Sequence, residues 1–154
     1  MATVFYPPAP VAYTQPTVFL AGSIDQGRAV DWQAEVIEQL DDLEVGLINP
    51  RRPDWDASWD QTDDNPKFVE QVQWELDGIE RATLVLMVFA KDSVAPISLL
   101  ELGIRSQHGS MIVVCPSGFW RKGNVDQVCA RYQVPRFDSL EAGLAQIRRL
   151  LAGS

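Results

Sequence analysis

Thr83-Leu84-Val85-Leu86-Met87-Val88-Phe89-Ala90 is the longest apolar run in the chain. It carries no charge and is too short for a fully buried helix, so it reads as a strand covered on both faces, the centre of a parallel sheet. On its N-terminal side, Lys67 to Arg81 has helical spacing, with Phe68, Val72, Leu76 and Ile79 on one face. Asn65 is the expected cap of that helix and Pro66 its first residue. On the C-terminal side, Pro96 opens a nearly all-apolar helix through about Gln107, which should be largely buried, and Met111 to Cys115 is the next strand.

The same alternation continues outward in both directions. Thr17 to Ala21 is a short buried strand that ends at Gly22-Ser23. Val30 to Leu40 follows as a helix with Val30, Ala34, Ile37 and Leu40 on its apolar side, and Val45 to Ile48 is a strand stopped by Asn49-Pro50. Beyond the central strands come a helix over Gly123 to Tyr132, a short strand over Val134 to Phe137, and an amphipathic helix from Ser139 to Leu151. Strand followed by helix, repeated about five times, predicts an α/β fold: a flavodoxin-like, doubly wound, five-stranded parallel sheet with helices on both faces. Residues 17–154 form one domain. Residues 1–16, with Pro7, Pro8, Pro10 and Pro16, are expected to be an irregular arm.

Composition narrows the function. The chain has 154 residues with a net charge of -8, a surface that repels a phosphate backbone and argues against a nucleic-acid polymer as partner. No run is long enough to span a membrane, and Met1 to Pro16 lacks the basic start and apolar stretch of a secretion signal, so a cytoplasmic location is expected. Cys115 and Cys129 form neither a metal-ligand pattern nor a disulfide framework, and Cys115 is expected to be a buried thiol. His108 is the only histidine and reads as a surface helix end. Neither a metal nor an organic cofactor is expected.

In doubly wound sheets ligands bind beyond the carboxyl ends of the strands. The most telling residue at that edge is Glu101, in the second turn of the Pro96 helix. A glutamate flanked by leucines there is costly unless it is paired or functional. An i,i+4 ion pair with Arg105 is the plain alternative. Glu75 lies on the preceding helix, beside Trp74 and near Asp77. Two carboxylates at a sugar site are the usual equipment for glycosidic bonds, one meeting the anomeric carbon and the other handling a proton. Gly22 lets backbone approach a ligand closely or simply packs tightly. Arg51 and Arg52 can grip phosphate or pair with nearby aspartates. Trp55 and Trp59 can stack on a base or anchor their long, acidic loop. Asn124 can cap the next helix or face a ligand.

Phe19-Leu20-Ala21-Gly22-Ser23-Ile24, Asn49-Pro50-Arg51-Arg52 with Trp55, Gln71-Val72-Gln73-Trp74-Glu75-Leu76, Pro96-Ile97-Ser98-Leu99-Leu100-Glu101-Leu102-Gly103 and Gly118-Phe119-Trp120-Arg121-Lys122-Gly123-Asn124-Val125, in this order, resemble the nucleoside 2-deoxyribosyltransferase-like family. The resemblance runs from about Thr17 to Val134. It implies a double displacement at the anomeric carbon of a 2'-deoxynucleoside, with Glu101 matching the nucleophile and Glu75 the acid that is aspartate in better-known members. A further family aspartate, a few residues before the nucleophile, falls at Val94-Ala95-Pro96, where Asp92 is the nearest acid. A first-strand tyrosine of the family is replaced by an apolar residue. The substrate-binding set so implied is Gly22, Ser23, Ile24, Asn49, Arg51, Arg52, Trp55, Trp74, Asp77, Ser98 and Asn124. The expected partners are a small-molecule nucleoside or nucleobase and further copies of the chain, since the family completes its sites from a neighbouring subunit. The alternatives are a nucleoside 5'-monophosphate N-glycosidase and a nucleotide-sensing module without turnover.

Overall fold

The computed structural model describes residues 1–24, 30–52 and 60–153. The elements are β1 (Thr3–Phe5), β2 (Thr17–Gly22), α1 (Trp32–Leu40), β3 (Gly46–Ile48), α2 (Pro66–Arg81), β4 (Leu84–Val88), α3 (Pro96–Arg105), β5 (Met111–Val114), α4 (Lys122–Tyr132), β6 (Arg136–Phe137) and α5 (Leu140–Ala152). All strands are parallel, in the order β1-β3-β2-β4-β5-β6. Without β1, this is the flavodoxin-like order with the switch point between β2 and β4.

The sheet has six strands, not five, because Thr3–Phe5 of the supposedly irregular arm adds an edge strand. Thr3 N–H donates to Val45 O and Asn49 N–H to Phe5 O. Thr-Val-Phe has the β-branched and aromatic residues of a strand, and the prolines begin only after it. No proline therefore removes a donor from the ladder.

The two faces of the sheet hold separate cores. Val18, Leu20, Leu47, Leu86 and Ile112 pack under α1 and α5, where Val36, Leu40, Leu144 and Ile147 meet them. Phe19, Ile48, Val85, Met87 and Val113 point the other way, toward α2, α3 and α4. Cys115 and Cys129 are buried free thiols on this second side, and burial raises both.

Three helices present other faces than their apolar residues suggest. In α1, capped by Asp31, the buried residues are Trp32, Gln33, Val36 and Leu40, while Val30 lies ahead of the helix and is exposed. In α2, with Asn65 as cap and Pro66 first, the fully buried residues are Gln71, Gly78 and Ile79, whereas Phe68, Val72 and Leu76 are only half-buried. Gly78 is required there, since a Cβ would stand 2.3 Å from the Phe19 ring. Helix α3 buries Ser98, Glu101, Leu102 and Arg105 but leaves Ile97 and Leu100 about 60% exposed, so it is not the largely buried element its composition suggests. Among the described residues no helix is long and apolar enough to cross a membrane.

Candidate active site

The inward faces of α2 and α3 bring Glu75 and Glu101 together. Glu101 is 8% exposed and has no hydrogen-bond or ion-pair partner among the described residues. Burial, and secondarily the charge of Glu75, raise its pKa to about 8. Burial raises Glu75 to about 7, against the opposing effect of a hydrogen bond from Gln71. Two carboxyls that raise each other's proton affinity titrate as a pair and hold one proton between them over an intermediate pH range.

Arg105 does not neutralise Glu101. Its buried guanidinium turns away and donates to backbone carbonyls: Nη1 to Ile79 O at 2.7 Å, Nη2 to Ala82 O at 2.9 Å and to Ser110 O at 3.0 Å. The i,i+4 ion-pair explanation of Glu101 therefore fails. Arg105 instead ties the end of α2, the end of α3 and the entry to β5 together.

Gln71 supplies the polar support of the pair. Its Nε2 donates to Pro50 O at 3.0 Å and to Glu75 Oε1 at 3.1 Å, and its Oε1 is buried without a partner among the described residues. A buried acceptor left unmet costs about 1–3 kcal/mol, so this orientation is maintained against a penalty. In the sequence, the one mark of this role of Gln71 is its i,i+4 spacing from Glu75.

The remaining candidates fall into separate groups. Ser98 shares the buried face of α3 with Glu101. Gly22 has φ 144° and pairs with Val88, whose carbonyl oxygen would be 2.1 Å from any Cβ, so close packing of β2 on β4 accounts for this glycine. Ser23 is buried, with its hydroxyl accepting from Ala90 N–H and its carbonyl from Trp32 Nε1, while Ile24 beside it is half-buried. Asn49 and Arg51 lie on the α1 side, where Asn49 Oδ1 accepts from Arg51 N–H and Arg51 Nε stands 3.3 Å from Asp31. They share a cavity of about 490 Å³ with Tyr6, Asp31, Ile37 and Glu38. Arg52 points to the other side and pairs with Glu70 at 3.3 Å.

Trp74 donates its indole N–H to Ala9 O at 2.8 Å and lies 6.3 Å from the Phe19 ring, so the N-terminal arm is anchored on it. Asp77 is exposed and acts on Tyr13, over which Arg81 stacks. Asn124 is exposed and is not the cap of α4, since Arg121 holds that position. It lines an apolar cavity of about 280 Å³ with Leu99, Leu102, Gly103, Arg121, Val125 and Val128. Neither of these two cavities is lined by Glu75 or Glu101. Trp55 and Trp59 lie outside the described residues. Asp92 is exposed in the loop after β4, and His108 is exposed just past α3.

Helices α2 and α3, which carry Glu75 and Glu101 beside the central parallel sheet, lie within residues 15–119, which match the family described as nucleoside 2-deoxyribosyltransferase like. The chain belongs to that family. The matched span holds both carboxyls of this deoxyribosyltransferase-like chain, the Gly22-Ser23 loop and Arg51-Arg52; it ends before Asn124. No curated protein sequence matches the chain.

Proposed function

We propose that this family member is a nucleoside 2-deoxyribosyltransferase whose covalent intermediate forms on Glu101. The observation that carries the reading is a buried carboxyl, Glu101, facing a half-buried one, Glu75, on adjacent helices with no cation between them among the described residues, in a chain of this family. In the productive form Glu101 is charged and Glu75 holds the proton. Glu101 attacks C1' of a 2'-deoxynucleoside, the C1'–N bond breaks, and its electron pair leaves with the base, which takes the proton from Glu75. The product is a deoxyribosyl ester of Glu101. A second base then attacks C1', returns its proton to Glu75 and frees Glu101, with net retention. Residues of the candidate set would then serve substrate binding, Ser98 being the one on the same buried helix face as Glu101.

Hydrolysis of a nucleoside 5'-monophosphate is less well supported. It needs a phosphate grip, and Arg51 and Arg52 diverge, one toward Asp31 and the other toward Glu70. The exposed Val94, Ile97, Leu100 and Trp120 support assembly with further copies of the chain. Incubation with a deoxynucleoside and a second free base, followed by chromatography, tests the reaction. New nucleoside and a sugar ester on Glu101 seen by mass spectrometry are expected. Free sugar alone would indicate a hydrolase, and no change across a broad panel of nucleosides would remove the catalytic reading.

A further inference from the structure

Gln71 stands one helical turn before Glu75 on the inner face of α2. Its amide nitrogen is 3.0 Å from Pro50 O and 3.1 Å from Glu75 Oε1. The Pro50 carbonyl can only accept, so the nitrogen end of the amide must face it. Turning the amide over would oppose two oxygens and offer Glu75 an acceptor in place of a donor. The backbone just after β3 therefore decides which end of Gln71 reaches the carboxyl.

We propose that Gln71 is a positioning residue for the carboxyl pair: oriented by the Pro50 carbonyl, it fixes the Glu75 side chain and keeps the negative charge on Glu75 while the resting pair holds one proton. That proton then sits on Glu101 until substrate binding moves it. The inference rests on the role given to the pair under the proposed function.

The surrounding charges leave this task to Gln71. From α3, Glu101 brings no positive charge and is itself raised by the charge of Glu75, and Arg105 is engaged with the carbonyls of Ile79, Ala82 and Ser110. Strands β2 and β4 bring no charged side chain. After β3, Arg51 pairs with Asp31 and Arg52 with Glu70. On α2 itself Asp77 acts on Tyr13, as does Arg81, which stacks over that ring.

The test is a residue-resolved NMR titration of the substrate-free protein. It follows the side-chain carboxyl carbons of Glu75 and Glu101 and the side-chain amide of Gln71. In the unaltered protein the Gln71 amide should titrate with the midpoint of Glu75. In Gln71→Met, similar in length but without a donor, the Glu75 midpoint should lie about one pH unit higher. A Gln71 amide that stays silent while Glu75 titrates overturns the proposal, and so does an unmoved Glu75 midpoint in the folded variant. If the variant does not fold, the first measurement decides alone. Neither readout needs turnover, so a chain that exchanges no base yet shows this linkage would sink the proposed reaction and keep the role of Gln71.

Discussion

Replacing Glu101 by Gln should abolish base exchange and, at alkaline pH, make the protein more stable. The carboxyl has an ordinary value of 4.5 and a folded value of about 8. At about 1.4 kcal/mol per pH unit, that difference biases the folded state by roughly 5 kcal/mol against the charged form. Below pH 4.5 the group is protonated in folded and unfolded chains alike and contributes nothing. Between 4.5 and about 8 the unfolded chain has released its proton while the folded chain retains it, so stability falls as pH rises; above about 8 the whole penalty is present. Glutamine keeps the shape and never ionises.

Denaturant unfolding at pH 5 should therefore show wild type and Glu101→Gln within about 1 kcal/mol of each other. At pH 9 the variant should be more stable by about 2–5 kcal/mol, the lower figure allowing for relaxation around the charge and for imperfect amide hydrogen bonding. Equal or lower stability of the variant at pH 9 would refute the buried, unpaired state of Glu101.

The exchange reaction needs one proton on the pair, so its rate should rise through about pH 7 and fall beyond about pH 8. In Glu75→Gln, the Glu101 titration midpoint should fall but stay above 4.5, because burial, the larger cause, remains; a carboxyl NMR titration reads this directly. Gly22→Ala places a Cβ against Val88 O at a φ of 144° and should lower stability by about 2–4 kcal/mol in denaturant melts. Arg105→Met strands the carbonyls of Ile79, Ala82 and Ser110, and a loss of about 3 kcal/mol or more is expected from thermal or chemical unfolding.

Strand order and helix placement were legible because apolar runs and cap residues carry them directly. Thr83 to Ala90 lies at the middle of the sheet, Asn65 caps α2 and Ser139 caps α5. The edge strand at Thr3–Phe5 was not, since the neighbouring prolines dominate that segment and a three-residue strand leaves little pattern. Helix faces were misread where polar groups go inside. Gln33 in α1 and Gln71 in α2 are buried, and spacing of apolar residues alone rotates both helices away from their true orientation. That failure is informative, because a helix that turns Gln71 and Glu75 inward departs from simple hydrophobic patterning where the candidate site lies. Local spacing offers Arg105 only as an i,i+4 partner for Glu101. Its engagement with carbonyls depends on tertiary neighbours that no local spacing reveals.

The guanidinium of Arg105 also sets the mechanics of α3. It fastens the tail of the helix to carbonyls from α2 and from the approach to β5. At the head, Ala95 has no side-chain cap, and the exposed Trp120 indole bonds to the carbonyl just before it, at Val94. Such a rod is tethered by a side chain at each end, by Arg105 behind and by Trp120 in front. Ser98 and Glu101 lie between the two tethers, so the aim of the carboxyl depends on both.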